Sequence, residues 1–432
     1  MKIKLTALLS AFLWFAFLWF ASLTNAQDYS LTLLPTLGGR TTRAFAINEG
    51  GQVTGQSDTS VGPHAFLWSR TGGIRDIATL SDPDSVGYAI NASAQVVGTI
   101  NLCFCQNVAA LWSPAAPEMQ TLVFPGQADS TASGINDLGE VVGTSQDQSF
   151  KPTGFLWTPS EGMQDLGALG CVGCFPVAVN NNRQVIGTIL QPGGSSHAFI
   201  WTQADGMQDL GTLGGPNSTP RAINSSGQVT GMSDTAGGVQ HAFFWNADSG
   251  MQDLGTIPGE TYSWGIAIDE SGRVVGTSWH PGRNNGLPFS WTQEAGMKQL
   301  GPFRVPRVSE ADGVNMAGQI LVSVYHPVGY STYVMTPIMA TTLTASPNPS
   351  TVGEPVTFSA SIGSTVHSPP ADGEIVTFMS GGKVLGTGTL QSGVATFTTS
   401  ALKGNRPVRA LYAGDAYYAP SKSALVTQVV LK

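Results

Sequence analysis

Four cysteines, Cys103, Cys105, Cys171 and Cys174, stand in two close pairs, Cys-x-Cys and Cys-x-x-Cys. Thiols at such spacing either close disulfides or, as four thiolates, surround a zinc ion. An exported chain meets oxidising surroundings, so disulfides are expected, with connectivity left open. A second group is aromatic and basic: Tyr262, Trp264, Trp279, His280 and Arg283, then Phe303, Arg304 and Arg307, then Tyr325, His326 and Tyr330. Flat rings interleaved with Arg and His suit the face of a sugar or a protein partner. Tyr262 and Trp264 are expected just before a first strand, Trp279 just after a second, and Tyr325, His326 and Tyr330 in a loop. His64, His197 and His241 each open a His-Ala-Phe run and come from separate repeats, too far apart to share a metal. Asp76, Asp165, Asp209 and Asp253 recur in the same way. A catalytic group is needed once, so repetition points to packing or strand-to-strand hydrogen bonding. Gly-x-Ser-x-Gly, His-Glu-x-x-His, a phosphate-binding glycine loop and an Asp-x-Asp-x-Asp calcium loop are all missing from the sequence. No catalytic residue, metal or cofactor is therefore assigned.

These residues sit on a chain that repeats itself. Ala-Ile-Asn-x-x-Gly-Gln-Val-x-Gly recurs with its Asn at Asn48, Asn91, Asn136, Asn180 and Asn224, then Asp269, then Asn315. An aromatic run ends at Trp68, Trp112, Trp157, Trp201, Trp245 and Trp291 and, degraded, at Met335. Both series step by about 44 residues, the period of a repeat architecture. Each copy reads as four short strands: Ala-Ile-Asn, Gln-Val-Val-Gly, His-Ala-Phe-Leu-Trp and Met-Gln-Asp-Leu-Gly, with Asn and Gly turns between them. Four strands per copy match the blade of a β-propeller. The last copy ends near Pro337 without its fourth strand, while Tyr29–Gly39 forms an orphan of that type. The N-terminal strand is thus expected to complete the final blade and close a seven-bladed ring. The repeated Trp and Asn residues are expected to be structural.

Met1–Ala26 has a basic start at Lys2 and Lys4, an apolar run and a small-residue end, the pattern of a signal peptide. The propeller is expected over residues 27–339, and residues 340–432 change composition to short β-branched strands, an immunoglobulin-like sandwich. Charged residues are 11% and net charge is −8, which argues against nucleic acid or anionic membrane as partner. No second segment is long and apolar enough to span a membrane, so a secreted or cell-envelope monomer is expected.

The motif blocks His197-Ala-Phe-Ile-Trp201, His241-Ala-Phe-Phe-Trp245 and Gly206-Met-Gln-Asp-Leu-Gly211 resemble the HAF-type extracellular repeat family of bacterial secreted proteins. That resemblance implies an extracellular repeat protein and brings no catalytic residues. Val108-Ala-Ala-Leu-Trp112 and Tyr333-Val-Met335 depart from it. Ser346-Pro-Asn-Pro349, Gly353-Glu-Pro-Val-Thr-Phe358 and Leu411-Tyr-Ala-Gly-Asp415 are similar to bacterial Ig-like repeat domains, which implies a spacer or adhesive module.

The functional expectation is a non-catalytic binding or scaffold protein for glycan or a surface protein. Two alternatives are a glycan-active propeller hydrolase or lyase and a purely structural envelope or adhesion component. The hydrolase needs a carboxylate pair around the central opening, where the first-strand ends carry mainly Asn, with Asp269 alone acidic.

Overall fold

The computed structural model describes residues 29–432 except 79–83, 103–105, 117, 124–128, 150, 167–172, 192, 283–285, 302–307 and 365–368. The expected leader, Cys103, Cys105, Cys171, Arg283, Phe303, Arg304 and Arg307 lie outside the described residues. Every element named among the described residues is a β-strand, and among them no helix is long and apolar enough to cross a membrane.

Residues 29–337 form seven four-stranded antiparallel sheets. Sheet one is a meander of Thr42–Ile47, Val53–Asp58, Pro63–Ser69 and Gly73–Asp76. Five further meanders follow. In sheet seven, Val308–Val314, Ile320–His326 and Gly329–Pro337 are completed by Tyr29–Leu33, in register from Tyr29 opposite Pro337 to Leu33 opposite Tyr333. The first strands of the sheets stand side by side in chain order, and that of sheet seven stands next to that of sheet one. The result is a propeller-like, all-β body.

The repeated motifs supply its core. Val53, Val96, Val141, Val185, Val229 and Val274 pair across the ladder with Trp68, Trp112, Trp157, Trp201, Trp245 and Trp291. Four of these indoles are buried and Trp157 and Trp245 are half-buried. In sheet seven Met335 holds the equivalent place opposite Ile320. Phe66, Phe155, Phe199, Phe243 and Phe289 are fully buried between sheets, where one phenyl ring removes roughly 2–3 kcal/mol worth of apolar surface from water.

The recurring Asn does two jobs. In the turn it makes, Asn136 Oδ1 accepts from the backbone N–H of Leu138 and Glu140, as expected of an Asx turn. Its Nδ2 then reaches into the next sheet and donates to Asn180 O at 2.9 Å. The same step runs from Asn48 to Asn91, Asn91 to Asn136, Asn180 to Asn224, Asn224 to Asp269, and Asn315 back to Asn48. Only at Asp269 does the relay stop, because a carboxylate accepts and cannot donate; Asp269 instead takes the Ser271 hydroxyl and the N–H of Arg273.

The C-terminal sandwich packs Ala340–Ser346, Val356–Gly363 and Val394–Thr399 against a five-stranded sheet built on Ile375–Ser380 and Arg406–Tyr412. Phe358, Phe378, Val376 and Val408 fill its core, and Met339, which the sequence placed with the repeats, is buried there too. The expected final strand Ala424–Leu431 is divided: Val426–Gln428 pairs with Arg406–Val408, whereas Val430–Leu431 pairs in parallel with Ser350–Thr351. The buried Gln428 amide, bonded to Pro347 O and Ser350 Oγ, draws the chain across from one sheet to the other. This domain meets the turn side of the repeats. Gln319 Nε2 donates to Ala416 O at 2.9 Å, Arg70 Nη1 to Asp415 O at 2.9 Å, and Ala419 N to Pro337 O at 2.9 Å.

Candidate functional site

The first strand of every sheet carries a β-bulge. In sheet one Ala44 faces Gly55 and Ala46 faces Thr54, so Phe45 is left over. The corresponding extra residues are Tyr88, Ser133, Val177, Arg221, Ile266 and Asp312. A bulge twists the strand and re-aims one side chain, a device common next to functional sites. It also explains the last glycine of the Val-x-Gly motif. A Cβ on Gly55, Gly98, Gly143, Gly187, Gly231 or Gly276 would lie 1.8–2.4 Å from a carbonyl oxygen of the bulged strand. Sheet seven has Val322 in that place, and its first strand carries a second register shift, between Val308 and Glu310. The irregular stretch of sheet seven carries Glu310 and Asp312.

These inner-strand residues meet across sheets seven, one and two. The Phe45 and Tyr88 rings lie 5.7 Å apart. Arg43 reaches from sheet one to Glu310 Oε2 at 2.9 Å, and its guanidinium stands 4.3 Å from the Tyr330 ring centre and 5.2 Å from that of Phe45. Arg43 Nε is buried without a hydrogen-bond partner. The Ser323 hydroxyl donates to Asp312 Oδ2 at 2.5 Å. Burial nonetheless pushes the Asp312 carboxyl up to about 7, with the Glu310 charge adding to the rise and Ser323 and Arg43 opposing it. Burial and the neighbouring carboxylates raise the Tyr330 phenol as well. On sheet five, Arg221 is desolvated, which lowers its guanidinium from the usual value.

Next to this corner lies the aromatic group expected from sequence. Tyr262 and Trp279 stack at 4.5 Å and 19°, and Trp264 meets Trp279 edge-on at 5.5 Å. Trp264 Nε1 donates to Gln240 Oε1 at 3.3 Å, while Trp279 Nε1 is buried without a partner. Tyr325 and Tyr330 sit edge to face at 5.2 Å. The expected loop positions need correction. Tyr262 and Trp264 lie inside the strand Tyr262–Ile268, and Trp279 ends Val274–Trp279. Tyr325 and His326 end Ile320–His326, and Tyr330 lies in Gly329–Pro337. Large aromatic residues favour pleated backbone and stabilise each other across the ladder, so the strands extend where loops were expected. His280 accepts from Gly282 N, and His326 Nε2 is 3.0 Å from Ser331 Oγ.

The Tyr262–Trp279 and Tyr325–Tyr330 pairs stand at the end of the sheets opposite the Asn turns, whereas the bulge residues Phe45, Tyr88 and Asp312 lie mid-strand, three residues before Asn48, Asn91 and Asn315. The hairpin holding Tyr325 and Tyr330 closes at one end of Ile320–His326, and the Asn315–Gln319 turn at the other. The Ig-like domain touches the turn end, so the aromatic end is left uncovered by it.

The sequence reading missed Arg43, Phe45, Tyr88, Glu310 and Asp312. Asp269 is the one acid at the repeated Asn position of the first-strand ends, but Glu310 and Asp312 lie further back, within the first strand of sheet seven. The available signal was departure from the repeat: sister strands carry Thr131 and Ser133, or Phe175 and Val177, where sheet seven has the two acids. The repeated histidines pair with the repeated aspartates inside their own sheets, His64 with Asp76 at 2.8 Å, His197 with Asp209 at 2.7 Å and His241 with Asp253 at 2.9 Å. Among the described residues no cluster of His, Cys, Asp and Glu is arranged to hold a metal. Cys174 is fully buried against Val179, Val185 and Leu166 and does not titrate as a free thiol. A separate shallow cleft, lined by Leu67, Arg75, Trp112 and Glu118, opens between the outer strands of sheets one and two, away from this chemistry.

The family of bacterial Ig-like domains (group 3) matches residues 343–431, which identifies the C-terminal domain and leaves the repeats unassigned. No curated protein matches the chain. Similar solved structures include TolB from Acinetobacter baumannii (TM-score 0.43, 11% identity, 60% of this chain and 65% of TolB). A puromycin-hydrolyzing peptidase of Mycobacterium tuberculosis (TM-score 0.47, 12%, 79% and 59%) is another. A third is the BP39L lectin of Burkholderia pseudomallei (TM-score 0.42, 12%, 72% and 96%). The chain thus spans under two thirds of the first two, and likenesses this distant carry no functional argument.

Proposed function

We propose that this chain is a secreted or cell-envelope, non-catalytic binding protein in which a seven-bladed, HAF-type propeller is displayed on an Ig-like module and recognises glycan or a surface protein. One observation carries the reading: Tyr262, Trp264 and Trp279, with Tyr325, Tyr330 and Arg43, gather at the end of the sheets left open by the Ig-like domain. Offset and edge-on aromatic groups with a fixed guanidinium present rigid, amphipathic area at low entropic cost, which favours sugar rings or a protein hot spot. The Asn relay and the pairing of Tyr29–Leu33 with sheet seven support ring closure. Cys174 supports a disulfide to one of its three sister cysteines.

The test is a glycan array and a cell-wall pull-down with the secreted chain, repeated with Trp279→Ala. Binding that the variant loses sustains the reading; wild-type protein that binds nothing leaves the purely structural envelope role. A second reading is favoured by Glu310 and Asp312, since a carboxyl whose burial raises it to near neutrality, beside a second carboxyl, is the kind of pairing used in glycoside cleavage. Release of reducing ends from any bound glycan, abolished by Asp312→Asn, would move the chain to that class.

A further inference from the structure

We infer that the corner built by Arg43, Phe45, Tyr88, Glu310, Asp312 and Tyr330 is a subsite for an amino sugar bearing a free ammonium, its ring against the aromatic faces and its cation beside the two carboxyls. The inference rests on the glycan-binding reading and specifies its ligand. The charge inventory leads to it. Arg43 is already committed, bonded to Glu310 and held between the Tyr330 and Phe45 rings. Among the described residues one guanidinium faces two carboxyls, Glu310 and Asp312, so above about pH 7, with both ionised, these groups carry one negative charge in excess. An acidic sugar would be repelled. A neutral sugar would leave that excess uncompensated, whereas an ammonium neutralises it next to aromatic faces that also attract cations.

The aromatic and polar groups fit a ring as well as a charge. Tyr88 is 37% exposed and Tyr325 54%, and the Arg43 and Glu310 side chains are each about one third open to solvent. A lysine side chain would match the charge and offer no ring to stack.

Charge linkage gives the subsite a pH signature. The groups facing Asp312 are Glu310, Arg43, Ser323 and Tyr330. Asp312 is neutral well below pH 7 and charged above it. An amine of ordinary basicity, with a pKa of about 7.7–8 as for an α-amino group, keeps its proton up to about pH 6.5. Between about pH 5 and 6.5 only the protein side of the pair changes, so affinity for the cation rises as pH rises.

The experiment uses the full secreted chain in calorimetric titration with a glucosamine tetramer, its N-acetylated counterpart and tetralysine. The expected result is at least tenfold tighter binding of the free-amine tetramer than of either other probe, tightening severalfold from about pH 5 to 6.5. Asp312→Asn, close in shape, should abolish the pH response, and Glu310→Gln should weaken binding about tenfold, with unchanged melting curves showing that both variants fold. The wild-type comparisons stand alone if either variant misfolds. Equal binding of amine and N-acetyl tetramers, or a flat pH response, overturns the ammonium subsite and leaves glycan binding intact. Tetralysine binding as tightly as the sugar overturns the sugar assignment. No binding of either sugar overturns this inference together with the glycan reading.

Discussion

Asn136→Ala tests the relay that joins neighbouring sheets. Asn136 is 4% exposed and its side chain holds two backbone N–H groups, of Leu138 at 3.1 Å and Glu140 at 2.9 Å, and the carbonyl of Asn180 at 2.9 Å. It also donates to Glu140 Oε2 at 2.7 Å, although Glu140 keeps Arg183 as a second partner. Alanine leaves all three backbone groups without that partner. At a net cost of about 1 kcal/mol each, the loss is about 3 kcal/mol, or a fall in melting temperature of ~6–10 °C for a large domain. Thermal unfolding of the secreted chain, followed by far-UV circular dichroism, measures it. The exposed Gln252→Ala is the control, expected within about 0.5 kcal/mol of wild type. A shift for Asn136→Ala no larger than that control would refute the claim that the Asn series ties one sheet to the next. Asp269→Asn, which supplies the missing donor toward Asn315, should raise the melting temperature by ~2 °C.

Trp201→Ala, which empties a buried site in the shared core of sheets three and four, should cost roughly 3–5 kcal/mol in thermal unfolding. Deleting residues 29–39 uncovers the edge of Gly329–Pro337, so size-exclusion chromatography should show self-association or a lower melting point; an equally stable monomer would refute ring closure by the N-terminal strand. Paired Arg70→Ala and Gln319→Ala substitutions remove side-chain bonds to the 415–418 loop of the Ig-like domain, and limited proteolysis should then cut near residue 339 faster than in wild type. Thiol titration of the unfolded, unreduced chain should find no free thiol at Cys174. His197→Ala should shift the melting temperature by less than ~2 °C, since its partner Asp209 is 45% exposed and surface ion pairs contribute little.

Much of this protein was legible from the chain alone, because repetition multiplies a weak local signal. A single Ala-Ile-Asn-x-x-Gly or His-Ala-Phe-x-Trp block is ambiguous, yet recurrence at one spacing places four strands per copy, sets the Trp and Asn series apart as structural, and exposes the orphan at Tyr29 and the missing strand after Pro337. The composition change near residue 340 marks the second domain for the same reason: alternation and turn residues are local properties.

The inner-strand chemistry was not legible, because it depends on register. That Phe45 or Tyr88 is the extra residue of a bulge goes with how closely the neighbouring glycine lets two backbones approach, and that Asp312 is one goes with a register shift formed opposite Val322, neither of which any spacing rule contains. Arg43 and Glu310 are 267 residues apart in sequence, and only the placing of the first and seventh sheets side by side makes them partners. The sequence by itself determined which residues recur and hence which hold the sheets together. The tertiary structure decided which of the exceptions meet, since charge, burial and aromatic contact act through space and not along the chain.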